Sequence, residues 1–122
     1  MRLKMLEAHP NKSALFDLKH DHGGIIDVEF MVQYLVLGHA RDHRELTANA
    51  GNLALLKTAA DLGLISAALA EAARTAYRQF RALQHQLRLA GERYARVEPQ
   101  GVAEATAAVN RLWESLLGAA KQ

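Results

Sequence analysis

From Ile25 to about Ala40 apolar residues crowd nearly every direction of a helical wheel. Ile26, Phe30, Tyr34 and Leu37 fall three or four apart, while Val28, Met31, Val32, Leu35 and Val36 cover most of the rest. A helix that is apolar nearly all round is expected at the centre of a bundle. Asn52 to Leu62 places Leu53, Leu56 and Ala60 on one side and stops at Gly63. The longest pattern begins behind Ser66, a favourable N-cap, and runs from about Ala67 to Ala90, where Gly91 ends it. Its Leu69, Ala73, Ala76, Phe80, Leu83, Leu87 and Ala90 alternate steps of four and three, a heptad seam suited to antiparallel packing. A last helix is predicted from about Val102 to Leu117, with Val109, Leu112, Trp113, Leu116 and Leu117 as its apolar face.

The remaining segments read differently. Met1 to His9, with Leu3 and Leu6 on one face, reads as the end of a helix stopped by Pro10-Asn11. Leu15 to Lys19 alternates apolar and polar residues, as an extended arm would, and is expected to pair with something upstream. Arg41 to Glu45 is a charged connector, and Gly91 to Gly101 a polar loop containing Pro99. The pattern predicts an all-α fold: a helical bundle of about four to five helices with a short extended N-terminal arm. Residues 1–24 are expected to form the end of a preceding helix, the arm and a Gly-Gly turn, and residues 25–122 the helical domain.

Composition agrees with helix. Among 122 residues Ala and Leu together number 42, against 13 for Val, Ile and Thr. The absence of cysteine excludes disulfides, thiolate metal sites and a cysteine nucleophile. The longest apolar stretch, Phe30 to Gly38, is broken by Gln33 and is too short to span a membrane. Arg2, Lys4 and Glu7 interrupt the start in a way no signal peptide does, so a cytoplasmic protein is expected. A net charge of +2, from fifteen cations and thirteen anions, argues against nucleic acid as a partner bound by bulk charge.

The densest chemistry lies in Lys19-His20-Asp21-His22-Gly23-Gly24-Ile25-Ile26-Asp27-Val28-Glu29-Phe30. Two glycines ahead of a helix either simply form a turn, the commoner case, or allow backbone N–H groups to approach a ligand, with Lys19 as a cation beside them. Asp27 and Glu29 stand inside an otherwise apolar helix, about 200° apart around its axis. Asp27 suits either capping of the first turn or a polar cavity; Glu29, with Gln33 one turn on, favours a functional cavity. His39 and His43 have the spacing of a metal pair, with His20, Asp21 and His22 as further donors. Their flanking Arg41, Asp42 and Arg44 instead suggest a solvated helix end, and no metal site is expected. The long helix carries Arg74, Arg78, Arg81, His85 and Arg88 as a ridge, read either as a solvated face or as a surface for an acidic partner. No nucleophile elbow, P-loop or dinucleotide fingerprint occurs, so no catalytic residue is assigned.

Phe16-Asp17-Leu18-Lys19, Gly23-Gly24-Ile25-Ile26-Asp27-Val28-Glu29-Phe30 and Gln33-Tyr34-Leu35-Val36-Leu37 resemble the C-terminal part of the glutamine synthetase adenylyltransferase family. These are the bifunctional adenylyl-transferring and adenylyl-removing enzymes of bacterial nitrogen control. Met1-Arg2-x-Lys4-Met5, Leu46-Thr47 and Asn52-Leu53-x-Leu55-Leu56 fit the same resemblance. It implies an upstream nucleotidyltransferase domain whose Asp-x-Asp carboxylates hold Mg2+ and ATP for AMP transfer to a tyrosine of glutamine synthetase. No Asp-x-Asp occurs in this chain, so it is expected to be inactive alone and to hold no cofactor tightly. By the resemblance Lys19, Gly23, Gly24, Asp27 and Glu29 would face the nucleotide site. Arg74, Arg78, Arg81 and Arg88 would face glutamine synthetase, the PII signal protein or the upstream domain. The alternative is a non-catalytic interaction module using the Arg74–Arg88 ridge.

Overall fold

The computed structural model describes residues 15–47, 51–93 and 95–118, so the helix end expected at Met1 to His9 lies outside the described residues. Among them are four α-helices, α1 (Ile25–His39), α2 (Asn52–Asp61), α3 (Ala67–Leu89) and α4 (Ala103–Leu117), as the periodicity predicts to within a residue or two. The chain is an all-α bundle with one small addition. β1 (Phe16–Asp17) pairs antiparallel with β2 (Arg96–Val97), Phe16 opposite Val97 and Asp17 opposite Arg96.

That pairing corrects two expectations. The arm's partner lies downstream, and the segment from Gly91 to Gly101 contains a strand and the start of a 3-10 turn (Pro99–Val102) rather than a plain polar loop. Two-residue strands leave no alternation to read. They are held by what surrounds them: Leu18 N–H donates to the Ala95 carbonyl at 2.8 Å, and the ring of Phe16 stacks on Phe80 at 6.1 Å.

α3 is the spine, packed most extensively on α4 and next on α2. Its seam is buried at Ala73, Ala76 and Phe80, half-buried at Leu69, Leu83 and Leu87, and open at Ala90. Small residues bring backbones close; Phe80 fills the space where β1 joins. Ser66 Oγ accepts from Leu69 N–H at 3.3 Å and starts α3. At its end Gly91, at φ 83°, lets Glu92 N–H reach the Leu87 carbonyl and Gly91 N–H the Arg88 carbonyl, both at 3.0 Å. Arg74, only 16% exposed, donates to the Leu53 carbonyl at 3.0 Å and pairs with Glu71, fastening α3 to α2. Trp113 is core, as expected, with its ring 5.3 Å from Phe30.

α1 departs from expectation. Ile25, Val28, Met31, Val32 and Leu35 are buried, but Gln33, Tyr34, Leu37 and Gly38 are exposed, Leu37 to 84%. The helix is one wall of the bundle, because α2, α3 and α4 cover only part of its circumference.

Phe80→Ala should cost about 3–5 kcal/mol, since it removes a fully buried ring and the support of β1. Leu37→Ser should change stability by less than about 0.5 kcal/mol. Urea unfolding of both variants checks the pair.

Candidate functional site

The segment between β1 and α1 is a closed web of hydrogen bonds. Asp17, 5% exposed, accepts from the N–H groups of Lys19 and His20, each at 3.0 Å, and meets Arg96 Nε at 3.4 Å. Asp21 returns the arrangement, its carboxylate accepting from Asp17 N–H at 2.9 Å. Buried carboxylates are tolerated where N–H donors and a cation surround them. Gly24 N–H then donates to the Asp21 carbonyl at 3.0 Å, and Gly23 N–H to Asp27 Oδ2 at 2.7 Å. The first helical donors, Ile25 and Ile26 N–H, reach the carbonyls of Leu18 and Lys19 at 2.7 and 3.1 Å.

This accounting settles what the Gly-Gly pair does. A helix start offers orphan N–H groups to an anion, but those of residues 23 to 26 are all taken by the chain itself. Of the two readings of the pair, the simple turn is the one its hydrogen bonds favour: these amides are internal donors. The glycines serve packing. A Cβ on Gly24 would lie 2.5 Å from the Leu18 carbonyl oxygen and 3.0 Å from that of Asp21. Gly23, at φ +87°, would place one 3.1 Å from Asn110 and from the Thr106 carbonyl on α4. Asp27, 5% exposed, takes the capping alternative, tying the turn to the first turn of α1.

The remaining two residues of the group are outward. Lys19 and Glu29 line an open groove of about 480 Å³ with Ile26, Phe30, Gln33, Tyr34 and Leu37. Its wall is mostly apolar, and among the described residues neither the Lys19 ammonium nor the Glu29 carboxylate has a hydrogen bond or ion pair. Lys19 also borders a second, polar cavity of about 190 Å³, with His20, Arg88 and Arg93 on its wall beside Asp17 and Glu92. So Lys19 and Arg88, placed in separate groups by sequence, share one cavity.

Along the ridge Arg78, Arg81, His85 and Arg88 are exposed, and Arg74 is the exception described above. Arg81 reaches Gln84 at 3.2 Å. His39 and His43 are half-buried at the end of α1, and among the described residues no three His, Cys, Asp or Glu side chains gather where a metal ion would fit. No helix among the described residues is long and apolar enough to cross a membrane. Sequence reasoning missed Asp17, Arg93 and Arg96, because the β1–β2 pairing that unites them has no sequence period.

The family model described as GlnD PII-uridylyltransferase matches residues 1–111. The chain's relatives include proteins named bifunctional glutamine synthetase adenylyltransferase/adenylyl-removing enzyme. That of Nitrosomonas eutropha is 54% identical over 97% of this chain and 14% of its own length. That of Bordetella bronchiseptica is 56% identical over 96% and 12%, and that of Burkholderia mallei 52% over 98% and 13%. The chain therefore spans roughly an eighth of the relatives it matches.

Gly24→Ala should destabilise by about 1–3 kcal/mol, because the neighbour it meets is backbone and has no room to yield. Gly38→Ala, inside α1 with nothing within 4 Å, should be neutral to about 1 kcal/mol stabilising. Thermal or urea unfolding that gave the two the same sign would refute the packing role.

Proposed function

This chain belongs to the GlnD PII-uridylyltransferase family, and from that premise we propose that it is the C-terminal helical domain of a cytoplasmic glutamine synthetase adenylyltransferase. In that enzyme it supports AMP transfer from ATP to a tyrosine of glutamine synthetase, or phosphorolytic removal of the AMP, by docking on the nucleotidyltransferase domain. The observation that carries the reading is the open groove on α1. It exposes Leu37 and Tyr34 on the very segment that bears the resemblance, and it sets Lys19 and Glu29 among them without internal partners. An apolar surface of this kind rimmed by polar groups is typical of an interface. The relatives' much greater length offers a partner within the same polypeptide.

Nucleotidyl transfer depends on positioning and electrostatics rather than on covalent work by the protein. Among the described residues no group of three or more His, Asp or Glu side chains gathers where a metal ion would fit, and in this reading magnesium and ATP belong to the upstream domain. What the chain supplies is a rigid wall. Its groove residues orient that domain, and Glu29 and Lys19 set charge at the junction. The exposed Arg78, Arg81 and Arg88 favour a second role along α3: a surface for an acidic partner, either glutamine synthetase or the PII signal protein.

In the full-length enzyme Glu29→Ala should lower the kcat of AMP transfer by about 10–100-fold, with an unchanged unfolding midpoint. A midpoint that fell in step with activity would make Glu29 structural and sink the docking role. Arg78→Glu with Arg81→Glu should weaken partner binding and leave kcat at saturating glutamine synthetase intact. Unchanged binding at low salt would remove the second role.

A further inference from the structure

The groove between α3 and α4 has no part in the docking just described. Its volume is about 590 Å³, it opens to solvent, and among the described residues only these two helices line it. Each helix presents positions i, i+3, i+4 and i+7 to it, from Ala72 to Gln79 on α3 and from Glu104 to Arg111 on α4. The basic ridge at Arg78 and Arg81 lies at least about 100° around α3 from the centre of this face. We propose that the groove binds a second copy of the chain, the two α4 helices running antiparallel about a two-fold axis between Ala107 and Ala108.

Charge decides the occupant. Glu104 and Arg111 are exposed, and their side chains have no hydrogen bond or ion pair among the described residues. They stand about 10 Å apart along one face of α4, too far along the helix to be a pairing couple within it. An antiparallel copy sets each Glu104 against the partner's Arg111, so the same ion pair forms twice. Gln79 adds to the polarity. Its Nε2 donates to the Gly101 carbonyl at 3.3 Å, just before α4 begins, which leaves Oε1 as an acceptor at the Glu104 end. One end of the groove thus offers acceptors and the other a guanidinium, the pattern a self-complementary surface requires. A copy laid parallel would oppose like charges and is excluded by the same arrangement. The floor permits close approach: Ala76, Ala105 and Ala108 are buried, and Ala107 is exposed at the crossing point. No large side chain there holds the two α4 backbones farther apart than about 8 Å.

Sedimentation equilibrium of the 122-residue chain, from about 1 μM to about 1 mM, tests this without reference to adenylyl transfer. An interface confined to two helices is small, so a monomer–dimer equilibrium with Kd of about 10–100 μM is expected. Glu104→Arg and Arg111→Glu, both at exposed positions, should each raise Kd at least about tenfold, because like charges then meet twice. The double variant E104R/R111E should recover the original Kd. An equimolar mixture of the two single variants should form a heterodimer of similar affinity, since across a two-fold axis each reversal meets the other. Ala107→Trp should abolish association while the unfolding midpoint, measured at about 1 μM where the chain is monomeric, stays unchanged. A chain still monomeric at about 1 mM overturns the proposal and leaves the groove to a different occupant. A dimer indifferent to the reversals overturns it too, as does one that the reversals weaken and neither the double variant nor the mixture restores.

Discussion

The fold of this chain depends on one close approach: the backbone of Gly24 against the carbonyl of Leu18. A side chain at position 24 would meet that oxygen at 2.5 Å, and the whole turn would open. Because it stays closed, Leu18 is free to donate to Ala95 on one side and accept from Ile25 on the other. That single residue joins the two-strand ladder to the start of α1. Gly23 meets α4 in the same way, at Thr106 and Asn110. The turn is therefore where the arm, the first helix and the last helix are held in register.

Two buried carboxylates make this possible. Asp17 and Asp27 lie at opposite ends of the turn and satisfy backbone donors that a loop would otherwise expose to water. Each has lost its hydration and is repaid by N–H groups, and Asp17 also by Arg96. Removing either would leave donors unpaired inside the protein, at a cost of about 1–3 kcal/mol. The polar residues of the turn thus act as structure where they are buried. At exposed Lys19 and half-buried Glu29, by contrast, the side chains make no hydrogen bond or ion pair among the described residues.

Helices were legible because burial has a period. Leu69 to Leu87 on α3 and Val109 to Leu117 on α4 repeat every three or four residues, and those faces are the ones that pack. The exposed wall of α1 was not legible: Leu37 is as apolar as Val32 and Leu35, and only its surroundings in the fold separate them. Nor was the ladder, since the pairing of Asp17 with Arg96 is between single residues far apart in the chain. Of the candidate site, the spacing marked the correct stretch but not the division of labour within it. The direction of an N–H group is set by the turn's closure, which sequence spacing does not encode.

A distinction follows between residues that make a segment recognisable and residues that meet a ligand. Gly23, Gly24 and Asp27 are the distinctive letters of the segment, and the reason lies in sterics and satisfied donors inside the turn. Such constraints admit few substitutes, so a motif of this sort identifies a fold junction. Lys19 is carried out of the turn by the same hydrogen bonds that bury Asp17, and it comes to rest between an apolar groove and a basic cavity. Glu29, two residues beyond Asp27, is turned by the helix onto the groove. The closed turn is thus a rigid mount that carries Lys19 outward and begins the helix that carries Glu29.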